Sequence, residues 1–172
     1  HRPFEGSVGD PKTSRPRIVK GGGPDAPNDC WDHVDFIVRE AKERGLYIGL
    51  LPTFGRHSIN NNDVEINSSE AKAYGEFLGK RYKDEPHIIW LMGGDCEPIV
   101  KGDKKHVYRA MAEGIVNGIT GNVVDWDQSD PGWDSVMMGF HTSGPNSSSQ
   151  WFHEDSWCDF NMIQSHQMML HK

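Results

Sequence analysis

The sequence has few cysteines, little basic charge and no long apolar run. Its three Cys, Cys30, Cys96 and Cys158, are odd in number and far apart. No disulfide framework or C-x-x-C metal pair follows from such spacing, and they read as small buried or half-buried side chains. No run approaches the ~18 apolar residues of a membrane helix, so no membrane partner is expected. His1–Gly6 lacks the apolar core of a signal peptide. Lys and Arg number 18 against 25 Asp and Glu, a net charge of -7. Binding to nucleic acid through phosphate attraction is therefore not expected. Hydrophobic residues make up 35%, below the ~45–50% usual for a soluble domain. The 19 Gly and 10 Pro point to many loops rather than to low complexity. A length of 172 residues suggests one domain.

What is present alternates in period. Residues 1–30 are broken throughout by Gly and Pro, and no element is expected there. From Trp31 to Arg44, Val34, Ile37, Val38 and Ala41 fall on one helix face. Asn28 or Asp29 suits the start, and Gly45 suits the end. Leu46–Thr53 is a continuous apolar run, as in a strand covered on both faces. Asn67 with Glu70 resembles a capping box for a second helix, with Ala71, Tyr74, Phe77, Leu78 and Tyr82 on one face. Ile88–Met92 is a second buried strand, ending in Gly93-Gly94-Asp95. A third helix is expected over about Asp103–Asn117, closed by Gly118. Val136–Phe140 and the shorter Phe160–Ile163 complete four strands. Residues 118–134 read as loop. Helices alternating with apolar strands imply right-handed βαβ units and a parallel sheet, in either a doubly wound fold or a barrel.

Chemistry in parallel α/β folds gathers in the loops after the strand C-termini. Those loops hold Phe54 and His57, then Asp95 and Glu97, then His141, Ser143, Trp151 and His153, then Gln164 and His166. Aromatic faces with amides, imidazoles and carboxylates suit a carbohydrate. Glycosidic cleavage needs two carboxyl groups. Asp95 is the first choice, because two glycines before it permit a sharp turn, and Glu97 is the second. A bland role for Asp95 as a loop cap weighs about equally on the residues alone. His141, His153 and His166 with Asp95 offer a metal alternative. No H-x-H or H-E-x-x-H spacing supports it, so neither metal nor cofactor is expected. No G-x-G-x-x-G or G-x-x-x-x-G-K-[ST] follows a strand, and no G-x-S-x-G marks a nucleophilic serine. Trp126, Trp133, Trp151 and Trp157 suit sugar platforms or the packing of their own loops.

Several strings together resemble the apiosidase-like glycoside hydrolase family. They are His33–Val38 with Gly45–Thr53, Ala73–Tyr82, Ile88–Asp95, Arg109–Ile115, Ser147–His153 and Trp157–Ser165. The resemblance covers about residues 28–166. It implies a (β/α)8 TIM barrel, a bacterial source, and retaining hydrolysis of plant-type glycans. Apiose-containing pectin side chains are known substrates in that family. A secreted or periplasmic location is also implied. The aspartate of Gly-Gly-Asp, here Asp95, would be the general acid/base. The nucleophile would be a glutamate after the seventh strand, which no residue here matches. The chain departs from the family at Phe54, where Trp is usual, and at Cys96-Glu97, where Arg-Asn is usual. Gln164-Ser165-His166 is one residue shorter than the family's Gln-Ser-Gly-His.

By that resemblance the chain covers about strands three to six of eight, and 1–172 is part of one barrel domain. Residues 1–30 would then form a long active-site loop, with βα units over 31–172. Two function classes are expected from this. One is a glycoside hydrolase whose catalytic pair is completed outside the chain. The other is a non-catalytic carbohydrate-binding partial barrel.

Overall fold

The computed structural model describes residues 4–5, 15–16, 31–55, 59 and 66–165. Phe4–Glu5 (β1) and Arg15–Pro16 (β2) pair antiparallel. No element was expected over 1–30, and this short ladder corrects that reading. Asn28, Asp29 and Cys30 lie outside the described residues, as do His57 and His166.

Helix α1 spans Trp31–Glu43. Gly45 follows with φ +66° and donates to Lys42 O at 3.0 Å, the left-handed exit that glycine tolerates without a Cβ penalty. Val38 and Ala41 are buried, but Ile37 is 45% exposed. The apolar face of α1 is therefore narrower than its periodicity implies. Asp35 anchors the helix: Arg81 donates to it through Nε and Nη2, at 2.9 and 2.5 Å, and Tyr82 OH donates at 2.8 Å.

Strands β3 (Ile48–Leu50), β4 (Ile88–Gly93) and β5 (Met137–His141) form a parallel sheet in sequential order. The chain is a mixed α/β structure. Helices α2 (Ser68–Arg81) and α3 (Lys105–Thr120) connect these strands. Ile88, Trp90 and Met92 of β4 and Met138 and Phe140 of β5 are buried in one core with Tyr74, Leu78, Met111 and Ile115 of the two helices. The alternate residues face the other way, as strand pleating requires. Ile89 and Leu91 are only half-buried, and Met137 is exposed. The expectation of strands covered on both faces is thus met on the helix side alone.

The capping box at α2 is present: Glu70 N–H donates to Asn67 Oδ1 at 2.9 Å, and Asn67 N–H donates to Glu70 Oε2 at 3.1 Å. Helix α3 runs past Gly118 to Thr120. Gly121, at φ +77°, closes it. Gly118 was expected as the closing residue, but it packs against α2. A Cβ there would meet Glu76 O and would lie 2.7 Å from Lys80 N. Gly75, Gly79 and Gly114 are similarly pressed on backbone across the same interface. The glycine serves helix approach, not helix ending.

The expected fourth strand reduces to isolated bridges, Gly139 with Phe160 and Ser147 with Ile163. Past Phe160 its backbone turns to the loop after β5. Met162 O accepts from Ser148 N–H at 2.9 Å, and Gln164 N–H donates to Asn146 O at 3.1 Å. The segment therefore meets β5 in parallel at Phe160, where Asp159 N–H donates to Met138 O at 3.0 Å, and beyond it ties down the loop after β5. That loop also contains a one-turn helix, α4 (Ser149–Phe152), and a 3-10 turn precedes β5 at Trp133–Ser135. Cys96 is buried and Cys158 half-buried, both as free thiols.

Candidate active site

The end of β4 turns through three consecutive positive-φ residues: Gly93 at +90°, Gly94 at +109° and Asp95 at +50°. A side chain at Gly93 would place its Cβ 2.5 Å from His141 O. At Gly94 it would lie 3.0 Å from both Phe54 Cα and Gly55 N. The two glycines thus let β4 end in close contact with the loops after β3 and β5. Asp95 is the exception, a non-glycine residue in the left-handed region. Asp reaches that region more readily than most side chains. Backbone held there is stored strain, and such strain clusters at functional positions.

Strand β5 grips this turn from the side. His141 O accepts from Gly94 N–H at 3.0 Å, and His141 Nδ1 accepts from Asp95 N–H at 3.0 Å. Because Nδ1 accepts, the neutral ring carries its proton on Nε2. Gln164 Nε2 donates to Asp95 Oδ1 at 3.2 Å. Glu97 accepts from Asn146 Nδ2 at 3.1 Å and from Ser143 Oγ at 3.5 Å. Glu97 thereby joins the loop after β4 to the loop after β5.

Beneath the turn the side chains are buried. Cys96 Sγ lies 3.2 Å from Tyr108 OH. Burial pushes the Cys96 thiol up to about 11, and the hydrogen bond to Tyr108 only partly opposes that. It is therefore a thiol at neutral pH and no nucleophile. Burial likewise raises Tyr108. Tyr108, Phe140, Phe152 and Trp157 make edge and tilted ring contacts with centroids 4.7 to 5.1 Å apart along the chain of rings. This aromatic floor fixes β5 against α3 below the site.

The sequence-derived candidates divide into three groups. Asp95, His141 and Gln164 are brought together directly. Phe54, 44% exposed, adjoins Gly94, and Ser143 joins through Glu97. Trp151 and His153 line a different cleft, with Arg109 and Trp126, whose described walls include none of the Asp95 cluster. His57 and His166 lie outside the described residues, so the metal alternative is incomplete. Among the described residues no group of three His, Cys, Asp or Glu could hold a metal ion. Trp133 and Trp157 are buried, and their indoles donate to Gln128 O and Asp155; both rings belong to the central core. Asn146 and Tyr108 were missed. Asn146 carried no signal beyond its place in a polar loop, and Tyr108 reads as one more apolar residue of a helix. Among the described residues no helix is long and apolar enough to cross a membrane.

Comparison with known proteins adds the following. The model of the apiosidase-like catalytic domain matches residues 7–171. No curated protein matches the sequence. One similar solved structure is a glycoside hydrolase family 5 protein from Bacteroides vulgatus ATCC 8482. It is 35% identical, with a TM-score of 0.63, and the match covers 86% of this chain and 28% of that one. Another, described as a glycoside hydrolase, is 34% identical with a TM-score of 0.67, over 92% of this chain and 30% of that one. The chain thus spans less than a third of either structure's length.

Proposed function

The chain belongs to the apiosidase-like catalytic domain family, a glycoside hydrolase-type domain, and from that premise we propose that Asp95 is the proton-transferring carboxyl of a retaining glycosidase. In this reading Asp95 gives its proton to the glycosidic oxygen as the bond from that oxygen to the anomeric carbon breaks. A nucleophilic carboxylate supplied from outside this chain closes on the anomeric carbon. Asp95, now ionised, then takes a proton from water as the water displaces that carboxylate. The net change is hydrolysis with retained configuration.

The observation that carries this role is the grip on Asp95. Its backbone N–H is held by His141 and one carboxyl oxygen by Gln164, so two separate loops fix the acid's position. General acid–base catalysis rewards such fixed placement. The sequential parallel strand order, with a half-open face opposite α2 and α3, supports reading the sheet as part of a (β/α)8 barrel. The substrate class we propose is a plant-type polysaccharide or glycan side chain.

The test is Asp95→Asn in a full-length protein carrying this chain. Hydrolysis of unactivated glycosides should fall by roughly 10²–10⁴-fold. Glycosides with an activated aryl leaving group should lose less in the bond-breaking step. Undiminished cleavage of unactivated glycosides would remove Asp95 from the role. Absence of cleavage in the parent protein itself would leave carbohydrate binding without catalysis.

A further inference from the structure

We infer that the cleft between the start of α3 and the turn α4 is a second saccharide subsite, which holds a further sugar ring of the glycan cleaved at Asp95. The inference rests on the glycosidase reading and extends it to a cleft whose described walls lie apart from the Asp95 cluster. The cleft measures about 420 Å³, and its walls include Arg109, Trp126, Gln150, Trp151, His153 and Glu154.

Its floor is built and rigid. Arg109 makes a two-pronged pair with Asp155, Nε to Oδ2 at 2.7 Å and Nη2 to Oδ1 at 2.9 Å. Its guanidinium also lies 3.5 Å from the centroid of the Trp126 ring. The Trp157 indole donates to the same Asp155 at 2.8 Å. Trp126 is thereby held on a fixed base, and Trp151 is set against Phe140 at 6.3 Å between centroids. Two half-buried indoles beside an exposed amide, imidazole and carboxylate match the two surfaces of a sugar: apolar ring face and hydroxyl rim.

The charge argues the same way. Arg109 is the single Lys or Arg among the described lining residues, and its charge is matched by Asp155. Asp127 and Glu154 are exposed at the cleft. A phosphate or carboxylate ligand would meet more negative than uncommitted positive charge. A neutral polyhydroxylated ring meets acceptors and donors without that cost.

The cleft is also wired to the catalytic turn. Gln150 Nε2 donates to Asn146 Oδ1 at 3.5 Å, and Asn146 Nδ2 donates to Glu97 at 3.1 Å. Glu97 is two residues from Asp95. The loop after β5 therefore separates two sites and touches both. One glycan can lie across it, with the scissile bond at Asp95 and a neighbouring ring on the indoles. Binding a remote ring is a source of energy for holding the reacting bond in place.

The test uses the full-length protein carrying this chain, with Asp95→Asn to prevent turnover. Calorimetric titration compares a disaccharide with a longer oligosaccharide, both prepared from plant pectin. The longer probe should bind more tightly. Trp151→Ala, or the milder Gln150→Ala at an exposed position, should shrink that advantage by about tenfold for the loss of roughly 1.4 kcal/mol of contact. An unchanged advantage in both variants overturns the subsite, as does equal affinity for the two lengths in the parent. A length advantage that depends on Gln150 and Trp151, in a protein whose native Asp95 form cleaves nothing, keeps the subsite and sinks the hydrolase instead.

Discussion

Gly75, Gly79, Gly114 and Gly118 lie between α2 and α3, while Gly93 and Gly94 lie at the end of β4. In the helix pair the backbone is ordinary and the space is absent: each added Cβ would press on backbone of the opposite helix. In the turn the backbone itself is unusual, at φ +90° and +109°. The first set determines how closely two helices stack beneath the sheet. The second determines where a carboxyl group stands above it. Helix packing and turn geometry thus draw on the same residue for different physical reasons, and their effects should separate on mutation.

Asp95→Asn should give the largest effect. Asn tolerates left-handed backbone nearly as Asp does, so the turn should survive. Turnover of unactivated glycosides should fall by roughly 10²–10⁴-fold while the denaturation midpoint barely moves. A joint loss of folding would show that the turn is part of the stability core, and the separation would fail. Gly118→Ala should do the reverse. Alanine adds up to ~1 kcal/mol of helix propensity. The methyl must nevertheless displace backbone at Glu76, Gly79 and Lys80 rather than a flexible side chain. The net loss should be about 1–3 kcal/mol, read from the denaturant midpoint. A stabilised variant would mean that the helices approach with room to spare.

This contrast also explains what could be read from the sequence. Apolar runs and helix faces placed α1 to α3 and β3 to β5 to within a few residues, because period is a direct consequence of burial. The capping box at Asn67 and Glu70 was equally plain, since it lies within four residues. Gly118 was misread because a glycine that ends a helix and one that admits a neighbour look alike in a single helix. The paired i, i+4 spacing of Gly75 with Gly79 and of Gly114 with Gly118 was the available signal. Phe160 does meet β5 in parallel, but the strand was drawn too long, because the pairing of the following residues with 146–148 depends on how a distant loop folds back. The sharp turn that carries Asp95 was legible through its two glycines. Its holders, His141 and Gln164, were legible only as polar residues after strands, because contacts 46 and 69 residues apart leave no local pattern.

A charge placed at Gln164 sharpens the functional half of the comparison. Gln164→Glu would replace the amide donor, 3.2 Å from Asp95 Oδ1, with a second carboxyl group. Two such groups cannot both ionise cheaply, so the last shared proton is held to higher pH. The alkaline limb of kcat/KM, which follows loss of the catalytic acid's proton, should move up by about one unit or more. An unmoved limb would count against the proposed role of Asp95, whose carboxyl Gln164 contacts. By linkage the same upward shift costs the folded state about 1.4 kcal/mol per unit at pH above the limb, so melting should be lowered at neutral pH and almost unchanged at acid pH, where the shared proton is bound.

Asn67→Ala should give the smallest effect, and on the structural half alone. Asn67 Oδ1 satisfies Glu70 N–H, and the Glu70 carboxylate returns a bond to Asn67 N–H. Both bonds are exposed, so water replaces much of what is lost. Removing the side chain should cost about 1 kcal/mol, read as a lower denaturant midpoint with the slope preserved. The cap lies at the start of α2, and the α2–α3 glycine contacts begin further along the helix. The effects of Asn67→Ala and Gly118→Ala should therefore add in the double variant to within about 0.5 kcal/mol. A larger departure would show that helix end and helix interface move together. Kinetic constants per folded molecule should not change, because Asn67 makes none of the contacts that hold Asp95.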